Sequence, residues 1–181
     1  MRQLFLVTLV CMVSIAGAQT SDRRDYSATR LDGQTITIDG KLDETAWKTA
    51  TWQGNFRQRQ PHEGMQPLQE TEFAILYDDN HLYAGVRAWD HYPDSIVQRL
   101  SRRDDPDGDL IGIEFDTFND KRTAFAFIVT AAGVKFDFVI SNDGEKEDPT
   151  WDPVWWAKTT VDSTGWFAEI RIPLSQLRFE N

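Results

Sequence analysis

The stretch ETEFAILYDDNHLYAGVRAWD, residues 70–90, decides the fold. Apolar side chains alternate along residues 70–77, turn-forming residues follow at 78–80, and residues 81–90 alternate again. Successive side chains of a strand point to opposite faces, so a period of two predicts two strands joined by a tight turn. The stretch therefore indicates an antiparallel β-hairpin.

Similar runs recur along the chain, separated by turn residues such as Asn119-Asp120 and Ala132-Gly133. We predict further strands at residues 35–38, 110–116, 123–130, 134–140, 155–161 and 166–172. Helical patterning is confined to single turns at residues 43–47, where Asp43 is the expected cap, and 173–177, and to about two turns at residues 94–102. About eight short strands and no long amphipathic helix favour an all-β fold, an antiparallel β-sandwich of the jelly-roll or immunoglobulin-like type.

The same alternation identifies the apolar side chains expected to face inward. We predict a core drawn from Phe73, Ile75, Leu82, Val86, Ile113, Phe115, Phe125, Phe127, Phe136, Phe138, Ile170 and Ile172.

The N-terminus has the features of a signal peptide over residues 1–18. Arg2 gives a positive start, residues 4–15 are almost entirely apolar, and Ala16-Gly17-Ala18 forms a small-x-small cleavage site. The apolar run is shorter than the roughly 20 residues that span a bilayer. The only cysteine, Cys11, lies in this leader and follows Val10, which does not favour lipid attachment. We therefore expect cleavage before Gln19 and a protein that is secreted, periplasmic or at the cell surface.

The rest of the chain divides into a short linker and one domain. Residues 19–34 are polar and without periodicity, which predicts a mobile linker, and residues 35–181 make up the sandwich. A further strand begins at Arg178-Phe179 and stops at Asn181, so we expect the domain to be incomplete at its C-terminus.

Composition excludes some partners. The formal net charge is −10, which argues against nucleic acid and anionic lipid. The chain contains 7 tryptophans, all after the leader, and this excess points towards a binding function.

No catalytic residues can be assigned from motifs. The three histidines, His62, His81 and His91, are not at zinc-ligand spacing, and neither a GxSxG elbow nor a cysteine nucleophile is present after the leader. A pair of carboxylates could serve glycoside hydrolysis, but among 29 acidic residues such a pair is expected by chance.

The acidic stretch at residues 104–109 has two interpretations. Four carboxylates within six residues, beside Gly108, resemble a calcium-binding loop, with Asp105, Asp107 and Asp109 as the candidate ligands for Ca²⁺. Alternatively, these aspartates only form turns at the surface.

Two groups of aromatic residues could form a sugar-binding surface. Trp151, Trp155 and Trp156 lie within six residues, and neighbouring strand residues must face opposite sides, so one of Trp155 and Trp156 should be exposed. Trp89 shares a strand face with Tyr83 and Gly85. Indole rings stack on the apolar faces of sugars, and nearby carboxylates accept hydrogen bonds from hydroxyls. The candidate carbohydrate-binding residues are Trp89, Trp151, Trp155, Asp148 and Asp152.

Four motifs carry a family resemblance. They are IDGKLDETAW (residues 38–47), ILYDDNHLYAGVRAWD (75–90), IGIEFDTFNDKRTAFAFIVTAAG (111–133) and GWFAEIRIPLSQLRF (165–179). In this order they resemble carbohydrate-binding module family 9, and more closely the family-9-like N-terminal domain of large secreted bacterial proteins with an uncharacterised C-terminal region. The resemblance implies a sugar-binding β-sandwich, often attached to xylan-degrading hydrolases, with a terminal strand beyond Asn181.

The family's contact residues are not retained. Its first tryptophan, its glutamate and its arginine fall near Pro106, Gly112 and Ile128, and its second tryptophan follows Asn181. None of the three residues present can stack on a sugar or donate a side-chain hydrogen bond.

Three functional classes follow. The first is a non-catalytic carbohydrate-binding module of a secreted polysaccharide-processing protein of the xylan or glucan class, associated with O-glycosyl hydrolases. The second is a structural or interaction domain that has lost sugar binding and packs on a C-terminal region. The third, a stand-alone hydrolase, is supported only by the surplus of carboxylates.

Overall fold

The computed structural model describes residues 24–179. The predicted signal peptide and the first residues of the predicted linker lie outside this range. The elements in chain order are β1 (Thr29–Arg30), α1 (Thr45–Thr49), β2 (Thr71–Tyr77), β3 (His81–Trp89), β4 (Leu110–Phe115), β5 (Ala124–Thr130), β6 (Lys135–Ser141), β7 (Lys146–Asp148), β8 (Trp156–Asp162) and β9 (Gly165–Pro173), with 3₁₀ turns at Pro93–Ser95 and Leu174–Gln176.

The strands form two sheets, which confirms the all-β sandwich. A five-stranded sheet has the order β1-β2-β3-β9-β8, and a four-stranded sheet has the order β4-β5-β6-β7. All neighbours are antiparallel except β1 and β2. The hairpin expected at residues 70–90 is β2–β3, in which Phe73 is opposite Val86.

The main core lies between the inner faces of the two sheets. It combines Val86, Ile170 and Ile172 of the five-stranded sheet with Phe125 and Phe127 of the four-stranded one, all buried. Other predicted members pack against it while partly buried, namely Phe73, Ile75, Ile113 and Phe115. Burial of these large apolar side chains is the main force holding the two sheets together.

Strand β6 presents its faces the other way round from the prediction. Asp137 is buried and accepts a hydrogen bond from Trp155 in the core, and Val139 packs on the same core. Because faces alternate, Phe136 and Phe138 lie on the outer side of the four-stranded sheet, where their rings are 5.0 Å apart. Neither ring therefore belongs to the core between the two sheets, although Phe138 is buried on the outer face, as expected of a core residue.

A second core covers the outer face of the five-stranded sheet. The segment before β2 lies across this face, and Trp47 of α1 is fully buried there with Ala74 and Leu76. Gly85 makes this possible, because a Cβ atom at that position would lie 2.9 Å from the Trp47 ring. The gap that glycine leaves in β3 is thus filled by an indole.

Glu169 ties the covering segment to the sheet. Its carboxylate accepts hydrogen bonds from the backbone N–H groups of Asp39 and Gly40, at 2.9 and 2.8 Å, and from Trp47 Nε1 at 2.8 Å. Burial raises the pKa of Glu169 to about 7, against the lowering effect of these donors. This buried carboxylate therefore holds both the IDGK turn and Trp47 against the sheet.

Several local predictions differ from the structure. Residues 35–38 form no strand: Ile36 is buried in the second core, on the outer face of the five-stranded sheet, and the segment pairs with no strand. The first helix has Glu44 as its N-cap instead of Asp43, and the helix expected at 94–102 is only the Pro93–Ser95 turn. Within the described residues, no strand begins at Arg178-Phe179. Two strands were not predicted, namely β7 and β1, which lies inside the expected linker.

Between residues 24 and 179, no helix has the length and apolar character needed to cross a bilayer.

Candidate functional site

The structure separates the predicted sugar-binding residues. Trp155 is only 2% exposed, and its Nε1 donates to Asp137 Oδ1 at 2.8 Å. Trp151 is half-buried, with its ring 5.1 Å from that of Phe125. A sugar needs an open indole face, so burial removes Trp155 as a stacking surface.

An ion-pair network holds the segment that contains these tryptophans. Arg103 donates to Asp137 at 2.7 Å and pairs with Asp152 at 2.5 Å, and Lys135 Nζ donates to the carbonyl oxygen of Trp155. Burial raises the pKa of Asp137, although the Trp155 indole and Arg103 oppose the shift. Asp152 is therefore engaged in anchoring the segment.

Asp148 makes only local contacts. Its carboxylate accepts hydrogen bonds from the side chain and backbone of Thr150, which lower its pKa. It lies at the end of β7, in the four-stranded sheet, whereas Trp89 is in the five-stranded sheet.

Trp89 lines an open hollow at the end of β3. Its ring packs edge-on against Phe167 at 5.4 Å, and its Nε1 lies 3.3 Å from Glu72 Oε2. The hollow has a volume of about 520 Å³ and is lined by Glu70, Trp89, Asp90, His91, Ser163 and Thr164. Trp89 is thus a predicted residue that borders a hollow.

A second hollow adjoins the first one and shares Glu70 with it. It also has a volume of about 520 Å³, and its lining includes Trp52, Phe56 and Glu72. Trp52 is fixed from two sides, because its Nε1 donates to the Trp47 carbonyl at 2.9 Å and the Arg87 guanidinium lies 3.5 Å from its ring centre. Phe56 is 42% exposed.

We call the surface formed by Trp52, Phe56, Glu70, Glu72 and Trp89 the rim groove. It combines aromatic rings with carboxylate acceptors along one end of β2 and β3, a combination suited to the alternating apolar faces and hydroxyls of a sugar. Desolvation lowers the pKa of Arg87 despite its partner Glu72, whose carboxylate is 3.8 Å away.

Sequence reasoning found only Trp89 of this groove. Trp52 and Phe56 lie in an irregular polar stretch between α1 and β2, where no period identifies an orientation. The available signal was the aromatic pair flanking Gly54-Asn55, because aromatic residues in a turn-forming loop have no strand face to pack on.

The described structure does not bring the three candidate calcium ligands together. Asp109 accepts a hydrogen bond from the Val97 backbone N–H, and Asp107 pairs with Arg99 at 3.2 Å. In the described part of the chain, no group of three or more histidine, cysteine or acidic side chains could hold a metal ion. Asp105, Asp107 and Asp109 therefore do not converge, which supports the interpretation as a surface turn.

The family assignment is shown by comparison with family models. Residues 38–181 match the model described as the carbohydrate family 9 binding domain-like family. The chain belongs to this family of carbohydrate-binding modules.

Solved structures with the same fold include two of a family 9 module from Caldicellulosiruptor kristjanssonii. The complex with glucose is 18% identical with a TM-score of 0.58, covering 82% of this chain and 70% of that one. The complex with cellotriose is 19% identical with a TM-score of 0.56, covering 82% and 68%. A candidate carbohydrate-binding protein from Bacteroides uniformis is 10% identical with a TM-score of 0.62, covering 83% and 73%. No curated protein matches the sequence.

The positions that the family resemblance links to sugar contacts are apolar here. Gly112 of β4 is directly opposite Ile128 of β5, and a Cβ atom on Gly112 would lie 3.3 Å from the Ile128 side chain. Ala126, Phe136 and Phe138 share this outer face. It offers no side-chain hydrogen bond at those positions, unlike the rim groove.

Proposed function

We propose that this protein is a non-catalytic carbohydrate-binding module that holds neutral polysaccharide of the glucan or xylan class in the rim groove. The observation that carries the proposal is the pair of adjoining hollows that share Glu70 and are lined by Trp52, Phe56 and Trp89. Two adjoining hollows with aromatic walls suit successive sugar units of one chain.

The family relatives support this ligand class. Modules of the same fold are described in complex with glucose and cellotriose. Because these relatives are less than 20% identical, they support the ligand class and not the position of the site.

The cellular setting is part of the same proposal. The leader at residues 1–18 supports export, and the family resemblance supports attachment to a protein that processes polysaccharide, including glycoside hydrolases. In that setting, the module increases the local concentration of its protein on the polysaccharide.

The proposal is tested by calorimetric titration of the exported protein with cello- and xylo-oligosaccharides. Replacing Trp89 by Ala removes one stacking surface, which is worth about 0.5–1.5 kcal/mol beyond its contact area, so we expect affinity to fall by roughly tenfold or more. Replacing Glu70 by Ala removes an exposed acceptor common to both hollows and should weaken binding with little effect on folding.

Two control variants match these changes. Phe179→Ala removes an aromatic ring that is 54% exposed and lies outside the groove, and Glu147→Ala removes an exposed carboxylate on β7. Circular dichroism checks the fold of each variant. If Trp89→Ala and Glu70→Ala are folded and bind as tightly as the controls, the rim groove is not the site.

One observation favours the second functional class. The positions that the family resemblance links to sugar contacts hold Gly112 and Ile128. Residues without polar side chains at these positions are what we expect of a domain that kept this fold and lost sugar binding. That class predicts that the unmodified protein binds none of the oligosaccharides, whereas the first predicts binding that depends on Trp89.

A further inference from the structure

A separate hollow lies at the edge of the five-stranded sheet, between β8 and the covering segment. It has a volume of about 380 Å³ and is lined by Ile36, Thr37, Ile38, Trp156, Ala157, Lys158 and Arg171. Arg171 lies on β9, and Trp89 of β3 is opposite Gly165 of the same strand. Gly165 and Arg171 are six residues apart along β9, or about 20 Å. The hollow is therefore distinct from the rim groove.

Trp156 provides an aromatic platform in this hollow. It is 41% exposed, unlike its neighbour Trp155, which points into the core. The guanidinium carbon of Arg171 lies 4.2 Å from the Trp156 ring centre, as their direct pairing across β8 and β9 allows. A guanidinium stacked on an indole keeps its N–H groups free at its edge.

Two cationic side chains in this hollow have no acidic partner among the residues that the structure describes. Lys158 is exposed and lies on the same face as Trp156, two residues further along β8. Within residues 24–179, neither Lys158 nor Arg171 forms a salt bridge, and the buried Nε of Arg171 has no hydrogen-bond partner. The hollow has no acidic residue in its lining, although the chain as a whole has a net charge of −10.

In the described residues, the carboxylate that lies opposite Lys158 forms no salt bridge with either cation. Glu169 is opposite Lys158 in the register, but its oxygens accept hydrogen bonds from Asp39, Gly40 and Trp47. An unsatisfied guanidinium nitrogen shielded from water has a free-energy cost that an anionic ligand would remove.

We propose that this hollow binds a carboxylated sugar, a uronate unit of an acidic polysaccharide. The pyranose ring would stack on the exposed part of Trp156, and its carboxylate would accept hydrogen bonds from Arg171 and Lys158. The inference rests on the proposed function only in taking a sugar as the ligand. It adds a second site with a different charge preference.

The test is calorimetric titration of the exported protein with tetragalacturonate and with its fully methyl-esterified form. The two probes share their rings and differ in charge, so we expect binding of the acid and at least about tenfold weaker binding of the ester. Binding of the acid should also weaken as salt increases. Equal binding of acid and ester would overturn the proposal, as would binding of a sulfated glycan without binding of the uronate.

Variants separate this site from the rim groove. Trp156→Ala and Lys158→Gln should each weaken tetragalacturonate binding, whereas Lys146→Gln, which removes an exposed lysine on β7, should not. Lys158 is exposed, so its variant remains informative if Trp156→Ala fails to fold. Uronate binding that is unchanged in Lys158→Gln contradicts the proposal.

The two proposals fail in different ways. If the unmodified protein does not bind cello-oligosaccharides, the proposed function is refuted. The second site can still be tested in that case, because tetragalacturonate binding is measured separately. Conversely, a protein that binds cello-oligosaccharides and ignores tetragalacturonate contradicts the second site alone.

Discussion

The buried carboxylate of Glu169 makes the stability of this domain depend on pH in a direction that can be worked out. Its pKa is raised from 4.5 to about 7 in the folded state, chiefly by desolvation. The folded protein therefore binds this proton more tightly than the unfolded chain does. The free energy of unfolding then falls as pH rises between about 4.5 and about 7, and levels off above that.

The size of the effect follows from the shift. One pKa unit corresponds to 1.36 kcal/mol, so a shift of this size is worth about 3 kcal/mol between about pH 5 and pH 8. Asp137, whose pKa burial also raises, adds a change of the same sign. Asp78, Asp120 and Asp162, whose pKa values are lowered, weaken the fold only when pH falls below their ordinary range.

Urea unfolding followed by tryptophan fluorescence at pH 5, 6, 7 and 8 measures this dependence. Glu169→Gln should be less stable, because an amide satisfies the three N–H donors less well, and its stability should vary much less with pH. The matched control Glu147→Gln, at an exposed position, should keep the pH dependence of the unmodified protein. If Glu169→Gln shows the same slope as the unmodified protein, the buried carboxylate is not its source.

Three further predictions concern the core, the leader and the acidic loop. Phe127→Ala should lower the free energy of unfolding by roughly 3–5 kcal/mol, since the ring is fully buried against Trp151 and Trp155, and a loss below about 1 kcal/mol would contradict the strand orientation. N-terminal sequencing of the exported protein should begin at or near Gln19, and an intact Met1 would refute the signal peptide. Millimolar calcium should leave the melting temperature unchanged, because the carboxylates of residues 104–109 do not converge, and an upward shift would restore the calcium interpretation.

Strand positions were predictable where apolar residues on one face of a strand alternate with residues that are polar or covered on the other face. Strands β2 and β3 follow this pattern, and their register matches the hairpin expected from residues 70–90. The pattern was ambiguous in β6, because Phe136 and Phe138 alternate with Asp137 and Val139. The Trp155 indole and the Arg103 guanidinium both donate hydrogen bonds to Asp137, and these two partners explain why the acidic residue faces inward.

The same limit applies to the candidate site. Alternation predicted that one of Trp155 and Trp156 would be exposed, but the sequence pattern does not say which of the two. In the structure Trp156 is exposed and Trp155 is buried. The choice depends on Asp137 and Arg103, which are distant in sequence and adjacent in the fold. Trp52 and Phe56 could not be placed, because a loop without a period gives no side-chain direction.

The most direct test of the central claim is affinity electrophoresis of the protein through gels containing soluble glucan or xylan. If the rim groove binds neutral polysaccharide, the unmodified protein and Phe179→Ala are retarded, whereas Trp89→Ala and Glu70→Ala migrate closer to their positions in a gel without polysaccharide. The claim is contradicted if the folded, unmodified protein migrates equally fast with and without either polysaccharide, or if all four proteins are retarded to the same extent.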